Sequence, residues 1–146
     1  MRKILSFFAF VALAVTTMAQ STVYLTRDIS PESLVKIYKK LGVKAEGRVA
    51  VKMSTGEGTN PNYLKPELIS QLVDEVRGTI VECRTAYPGD RMETKDHWQV
   101  IRNHGFDKIA PVDLMDEYDE IRIPVRDKTH LKYDLVGGHL ANYDFL

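Results

Sequence analysis

The chain has 146 residues, 44% hydrophobic and 27% charged, which is the range of one ordinary globular domain. Twenty basic side chains balance twenty acidic ones, leaving no electrostatic case for nucleic acid or an anionic membrane as partner. The single cysteine, Cys83, excludes any internal disulfide.

At the amino terminus Arg2 and Lys3 precede an apolar run from Ile4 to Val15 and then Thr16-Thr-Met-Ala-Gln. These are the three regions of a bacterial-type secretory signal peptide, with cleavage expected between Ala19 and Gln20. The apolar run is too short for a bilayer core that needs about 20 residues. The expectation is therefore export to the periplasm or medium, no stable membrane span after cleavage, and one domain over residues 20–146. Cleavage removes Arg2 and Lys3, so eighteen basic side chains face twenty acidic ones, a net of −2.

A short strand-like start, Thr22 to Thr26, leads to a punctuated helix. Ser30 can cap it, Pro31 suits its first position and Gly42 can end it. Val49 to Met53 predicts a core strand. The loop after it contains Gly56 and Gly58, which allow backbone angles or approaches that side chains forbid. Pro66 should open a second helix, with Leu68, Ile69, Leu72, Val73 and Val76 as its buried stripe and Gly78 as its end. Thr79 to Cys83 predicts a second strand, parallel to the first because a helix makes the crossover. After a second loop, Arg84 to Arg91, Thr94 is expected to cap a third helix that ends at Gly105. The strand-loop-helix unit thus occurs twice, and both loops should emerge at one edge of the sheet. Lys108 to Val112 reads as a short strand, Asp113 to Glu120 as an acidic connection, and the segments from Ile121 and from His130 as alternating strands. The ending Asp144-Phe-Leu looks like the start of another strand. The fold class is α/β: a mostly parallel sheet with an added antiparallel edge segment.

The candidate chemistry sits in the two loops. Gly56-Glu-Gly lacks the Lys-Ser/Thr ending of a phosphate cradle, and Glu57 would repel a phosphate. Lys52 and Glu57 suit a polar ligand of mixed charge, or a cation held by Glu57 with Asn60; the bland alternative is a tight turn. Cys83 reads as a small buried residue rather than a nucleophile. His97 and His104, seven apart, share a helix face but lie about 10 Å apart along it, so one metal cannot take both. A metal site assembled through space from Glu57, His97 and Asp116 is the remaining metal expectation. The acids from Asp113 to Glu120 lack the glycine and spaced ligands of a calcium loop and read as a solvated turn, with weak calcium binding as the alternative.

The run Val51-Lys-Met-Ser-Thr-Gly-Glu-Gly-Thr-Asn-Pro-Asn-Tyr-Leu-Lys-Pro-Glu, then Glu82-Cys-Arg-Thr-Ala-Tyr, His97 and His104-Gly-Phe resemble the family called domain of unknown function 362. Members are often labelled uncharacterised iron–sulfur-centre proteins, and the similarity runs from about Val49 to the last residue. The resemblance implies an α/β protein of which this chain is the amino-terminal half. By position Lys52, Gly56, Glu57, Asn60, Tyr63 and Pro66 match the family's first loop, and Thr85, Tyr87, Gly89, Arg91 and His97 its second. Glu82-Cys-Arg-Thr stands where many members have Thr-Asp-Thr-Asn. A four-iron cluster takes four thiolates, so this chain alone holds none.

The functional expectation is an exported domain binding a metal ion or small ligand in redox or transfer chemistry, through Lys52, Gly56, Glu57, Asn60, Tyr63, Glu82, Thr85, Tyr87, Arg91 and His97. The alternatives are a noncatalytic binding module and a truncated remnant without activity. A homo-oligomer or other partner is expected to cover an open sheet edge.

Overall fold

The computed structural model describes residues 21–146. The expected signal peptide lies outside them. Helix α1 spans Pro31–Lys40, and Ser30 caps it by accepting the Ser33 amide at 3.2 Å. Strand β1 is Ala50–Lys52, helix α2 Pro66–Glu75 and strand β2 Thr79–Glu82. Helix α3 is Thr94–His104, strand β3 Val112–Leu114, and strands β4 and β5 are Glu120–Pro124 and Tyr133–Gly137. The order β1-β2-β3 is all parallel, and β4 and β5 form a separate antiparallel pair.

Two apolar clusters sandwich the parallel sheet. On the helix side Ile69 and Val73 of α2, Ile101 of α3, Phe106, Ile80 and Leu114 pack together, with Leu34 of α1 against them. On the other side Ala50, Val81 and Met115 are covered by Cys83, Leu140 and Tyr143. Alternation along β2 sends Ile80 and Glu82 to the helix side and Val81 and Cys83 to the other. That parity aims Glu82 at α3.

Several boundaries differ from the sequence reading, each for a local reason. Thr22–Thr26 joins no strand and is exposed up to Leu25, and the position beside Val49 is taken by Phe145, in a parallel bridge. The ending Asp144-Phe-Leu therefore does begin strand pairing, as expected. Glu93, not Thr94, precedes the first turn of α3. The left-handed residue after α2 is Arg77 (φ 50°), while Gly78 serves close approach: a Cβ there would lie 2.6 Å from Val51 Cγ2. The third strand starts at Val112 because Phe106–Lys108 winds as a 3-10 turn beneath Ile80 and Ile101. Among the described residues no helix is long and apolar enough to cross a membrane.

Candidate functional site at the carboxyl edge of the sheet

Both loops leave the same edge of the sheet and meet. The Tyr87 hydroxyl donates to Glu57 Oε1 at 3.0 Å, thirty residues away in the chain. Arg91 holds this junction shut. Its Nε and Nη2 donate to Glu57 Oε1 at 3.1 and 2.6 Å, Nη2 also reaches the Tyr87 hydroxyl at 2.9 Å, and Nη1 donates to Ser54 Oγ at 3.1 Å and to Glu82 Oε1. A guanidinium carries five N–H groups, and these contacts use every one. Arg91 is thus a strut between the loops with no donor left for a ligand.

Beneath it the network is sealed from solvent. Glu82 and His97 are 1% and 0% exposed. Glu82 Oε2 accepts the Thr55 amide at 3.0 Å and faces His97 Nε2 at 3.2 Å. A carboxylate oxygen can only accept there, so Nε2 carries a proton, while Nδ1 is buried without a hydrogen-bond partner. Burial pushes the Glu82 carboxyl up, but the hydrogen bonds from His97 and Thr55 outweigh it and hold the group below the usual carboxylate range. Arg91 likewise loses by burial and gains more from Glu57 and Glu82, so its guanidinium stays charged.

The two histidines of α3 share a face, as their spacing requires, and both grip Thr55. His97 Nε2 lies 3.3 Å from its hydroxyl, and His104 Nδ1 donates to its carbonyl at 2.7 Å. The far face of His104 stacks on Tyr63, with ring centroids 3.8 Å apart at 6°. Tyr63 in turn sits over Gly56, whose φ of 80° favours glycine and where a Cβ would fall 2.5 Å from the tyrosine Cβ. A glycine is therefore needed there for both reasons.

The remaining predicted residues divide. Asn60 shapes the loop, accepting the Asn62 amide at 2.9 Å, and Thr85 does the same by donating to the Tyr87 carbonyl at 3.1 Å. Lys52 alternates with the helix-facing Val51 and Met53, so it stands on the other side of the sheet, donating to the Met53 carbonyl at 2.8 Å. It does not join Glu57. Asp116 accepts the Arg84 amide at 3.0 Å, while His97 is committed to Glu82 and Glu57 to Arg91. Glu57, His97 and Asp116 are thus held by different partners, and among the described residues no group of three His, Cys, Asp or Glu side chains is placed to hold a metal ion. Burial and the neighbouring Asp116 charge push the Cys83 thiol up, which keeps it protonated and a poor nucleophile. Ser54, Thr55 and His104 were not among the expected site residues. The seven-residue histidine spacing was the one signal that could have led to Thr55.

Across the sheet, the acids read as a solvated turn are partly structural. Asp113 accepts from His139 Nδ1 and from the Tyr143 hydroxyl, both at 2.7 Å. The Asp113 bond raises the His139 pKa above its ordinary value, burial opposing it, with Asp119 and Glu117 adding to the rise. A raised folded pKa contributes stability that is complete below about pH 6.5 and disappears as pH climbs through the folded value. Urea unfolding at a series of pH values should therefore show wild-type stability falling above about pH 6.5, and Asp113→Asn should flatten that slope. An unchanged slope would assign the pH dependence elsewhere.

Beside the Arg91 junction lies a cleft of about 230 Å³ between the loop tips and one flank of α3, lined by Thr59, Asp90, Asp96, Gln99 and Asn103 over Gly58. It is acidic and has no basic lining residue. Glu57, whose carboxyl the Arg91 hydrogen bond holds below the usual range, keeps its Oε2 free of any hydrogen bond among the described residues. No curated protein and no solved structure matches the chain. A family model described as Domain of unknown function (DUF362) matches residues 49–146. That span holds β1, both loops, the Arg91 junction and the cleft, so the chain belongs to the domain of unknown function 362 family.

Proposed function

We propose that this is an exported small-ligand-binding domain, and that the ligand carries a positively charged group seated at the rim between the two loops. The observation that carries this reading is the Arg91 clasp. It fixes the loops, spends every donor of the one arginine in the junction, and leaves Glu57 Oε2 without a hydrogen bond, one residue along the chain from Gly58, which with Asp90 and Asp96 lines the neighbouring cleft. Two carboxylates, Glu57 and Glu82, share the one guanidinium, and with Asp90 and Asp96 beside them the rim carries an excess of negative charge that suits an ammonium group and disfavours a phosphate or carboxylate. The exposed ring of Tyr87 adds a π face beside Glu57. Catalysis fits less well, since His97 is sealed inside, Arg91 is consumed and Cys83 is kept as a thiol. The cleft is smaller than the common range of about 300–1,000 Å³, which suits a small ligand or one end of a larger one. Export is supported by Arg2, Lys3, the apolar run and the small residues before Gln20.

Titration of the purified protein with 1,4-diaminobutane, followed by amide chemical shifts, should perturb residues 54–63 and 84–100 selectively. Glu57→Gln keeps a carbonyl for Arg91 but removes the charge, and should weaken binding about tenfold. A parallel titration with Mn²⁺ separates the metal reading: line broadening confined to Glu57 and Asp90, with no response to the diamine, would replace the ammonium ligand by a metal ion. No response to either would overturn the rim as a cation site.

A further inference from the structure

Helix α3 carries polar chemistry on two flanks, and the cleft beside Arg91 uses only one of them. On the other flank Lys95, Trp98 and Arg102 follow one another at helical spacing, so they line a single stripe. Trp98 is half-buried, and its Nε1–H donates at 3.3 Å to Glu117 Oε1 on the turn after β3. With Thr94 and Glu117 these side chains wall an open cavity of about 530 Å³. Lys95 and Arg102 are exposed, and neither forms a side-chain ion pair among the described residues. An indole floor between two unpaired cations is a seat for an aromatic ring that brings carboxylates with it.

The same surface supplies such a ring. Tyr118, the residue after Glu117, is 79% exposed, and Asp119 and Glu120 beside it are exposed as well. Exposed aromatics of this kind are the anchors that interfaces bury. Within its own chain the Tyr118 ring tilts against His139, with centroids 5.6 Å apart at 46°, and takes no part in lining the Trp98 cavity. Because Glu117 lines the cavity and Tyr118 follows it directly, the basic seat and the acidic ring are neighbours in one patch. A patch that holds both halves of a complementary pair can meet itself about a two-fold axis, filling both seats at once. It lies on the β3 side of the sheet, away from the Val49–Phe145 bridge beside β1.

We propose that a second copy of this chain docks here in an isologous dimer, the Tyr118 of each copy lying on the Trp98 of the other, with Asp119 and Glu120 facing Lys95 and Arg102. Asp96, Gln99 and Asn103 occupy the opposite flank of α3, so the cleft beside Arg91 stays open in the dimer. Sedimentation equilibrium of the purified chain should show a monomer–dimer equilibrium that added salt weakens. Lys95→Glu/Arg102→Glu and Glu120→Lys change only exposed side chains, and each should raise the dimer dissociation constant about tenfold or more, since every substitution enters an isologous interface twice. An equimolar mixture of these two variants should associate again as a heterodimer, because opposite charges then face each other in both seats. Tyr118→Ser should also weaken the dimer about tenfold. A chain that is monomeric at every concentration would overturn the proposal, as would a dimer that neither charge reversal weakens or a mixture no tighter than its separate components. A monomer that binds a poly-glutamate peptide, and loses it in Lys95→Glu/Arg102→Glu, would assign the seat to an acidic partner in place of a second copy.

Discussion

Arg91→Met should lower the unfolding free energy by about 3–5 kcal/mol, the range for removing one partner of a buried ion pair. Arg91 is only 8% exposed and its main partner Glu82 1%. Methionine fills most of the volume but leaves Glu82 Oε1 without a donor and Glu57 without its counter-charge. The Glu82 carboxylate would then be held by Thr55 and His97 alone, and a melting temperature lower by roughly 10–20 °C follows for a domain of this size. The double variant Arg91→Met/Glu82→Gln should recover part of the loss, because the stranded charge is gone and the remaining amide can still accept from Thr55. A single-variant loss below about 1 kcal/mol would mean that water or a rearranged Ser54 replaces the guanidinium. The Tyr87 and Glu57 loops should also separate, so the diamine response at residues 84–100 should weaken in step. That coupling distinguishes a clasp from a passive surface pair.

The shared edge of the two loops was legible because it follows from periodicity alone. Two helices used as crossovers force parallel strands, and parallel strands send both following loops to one side, so Glu57 and Tyr87 had to emerge together. Their mutual contact through Arg91 was not legible. It depends on a side chain in the second loop reaching back across the first, which no local pattern reports. Lys52 shows the opposite failure: it is adjacent in sequence to the loop but carries the wrong strand parity, and one residue of alternation puts it on the far face. The same parity, one strand over, turns Glu82 toward α3, where it meets His97. The metal expectation assigned Glu57, His97 and Asp116 by residue type, whereas each is claimed by a nearer partner, Arg91, Glu82 and the Arg84 amide. Phe106 went unnoticed as core because the residues after Gly105 read as a break. The chain instead tucks the ring under the sheet in a 3-10 turn.

That ring governs the other end of the first loop. Phe106 is fully buried against Ile80, Ile101 and Leu114, and Tyr63 rests on it with centroids 6.2 Å apart at 52°. Phe106→Ala should therefore cost about 3–5 kcal/mol, from lost apolar burial and the cavity left behind. A Leu replacement keeps most of the volume and should cost much less, in the range of volume-conserving swaps below about 1.5 kcal/mol. The structural consequence runs from Phe106 to Tyr63, then to the His104 stack and to the Thr55 carbonyl that His104 holds. Loss of the ring should loosen residues 55–63 while Arg91 still ties Glu57 to the second loop. Limited proteolysis of the Ala variant below its unfolding transition should then cut between Gly58 and Lys65 faster than wild type, with β2 and α3 still protected. Uniform protection until global unfolding would show that the Arg91 clasp alone orders the loop and that the aromatic stack contributes only to the core.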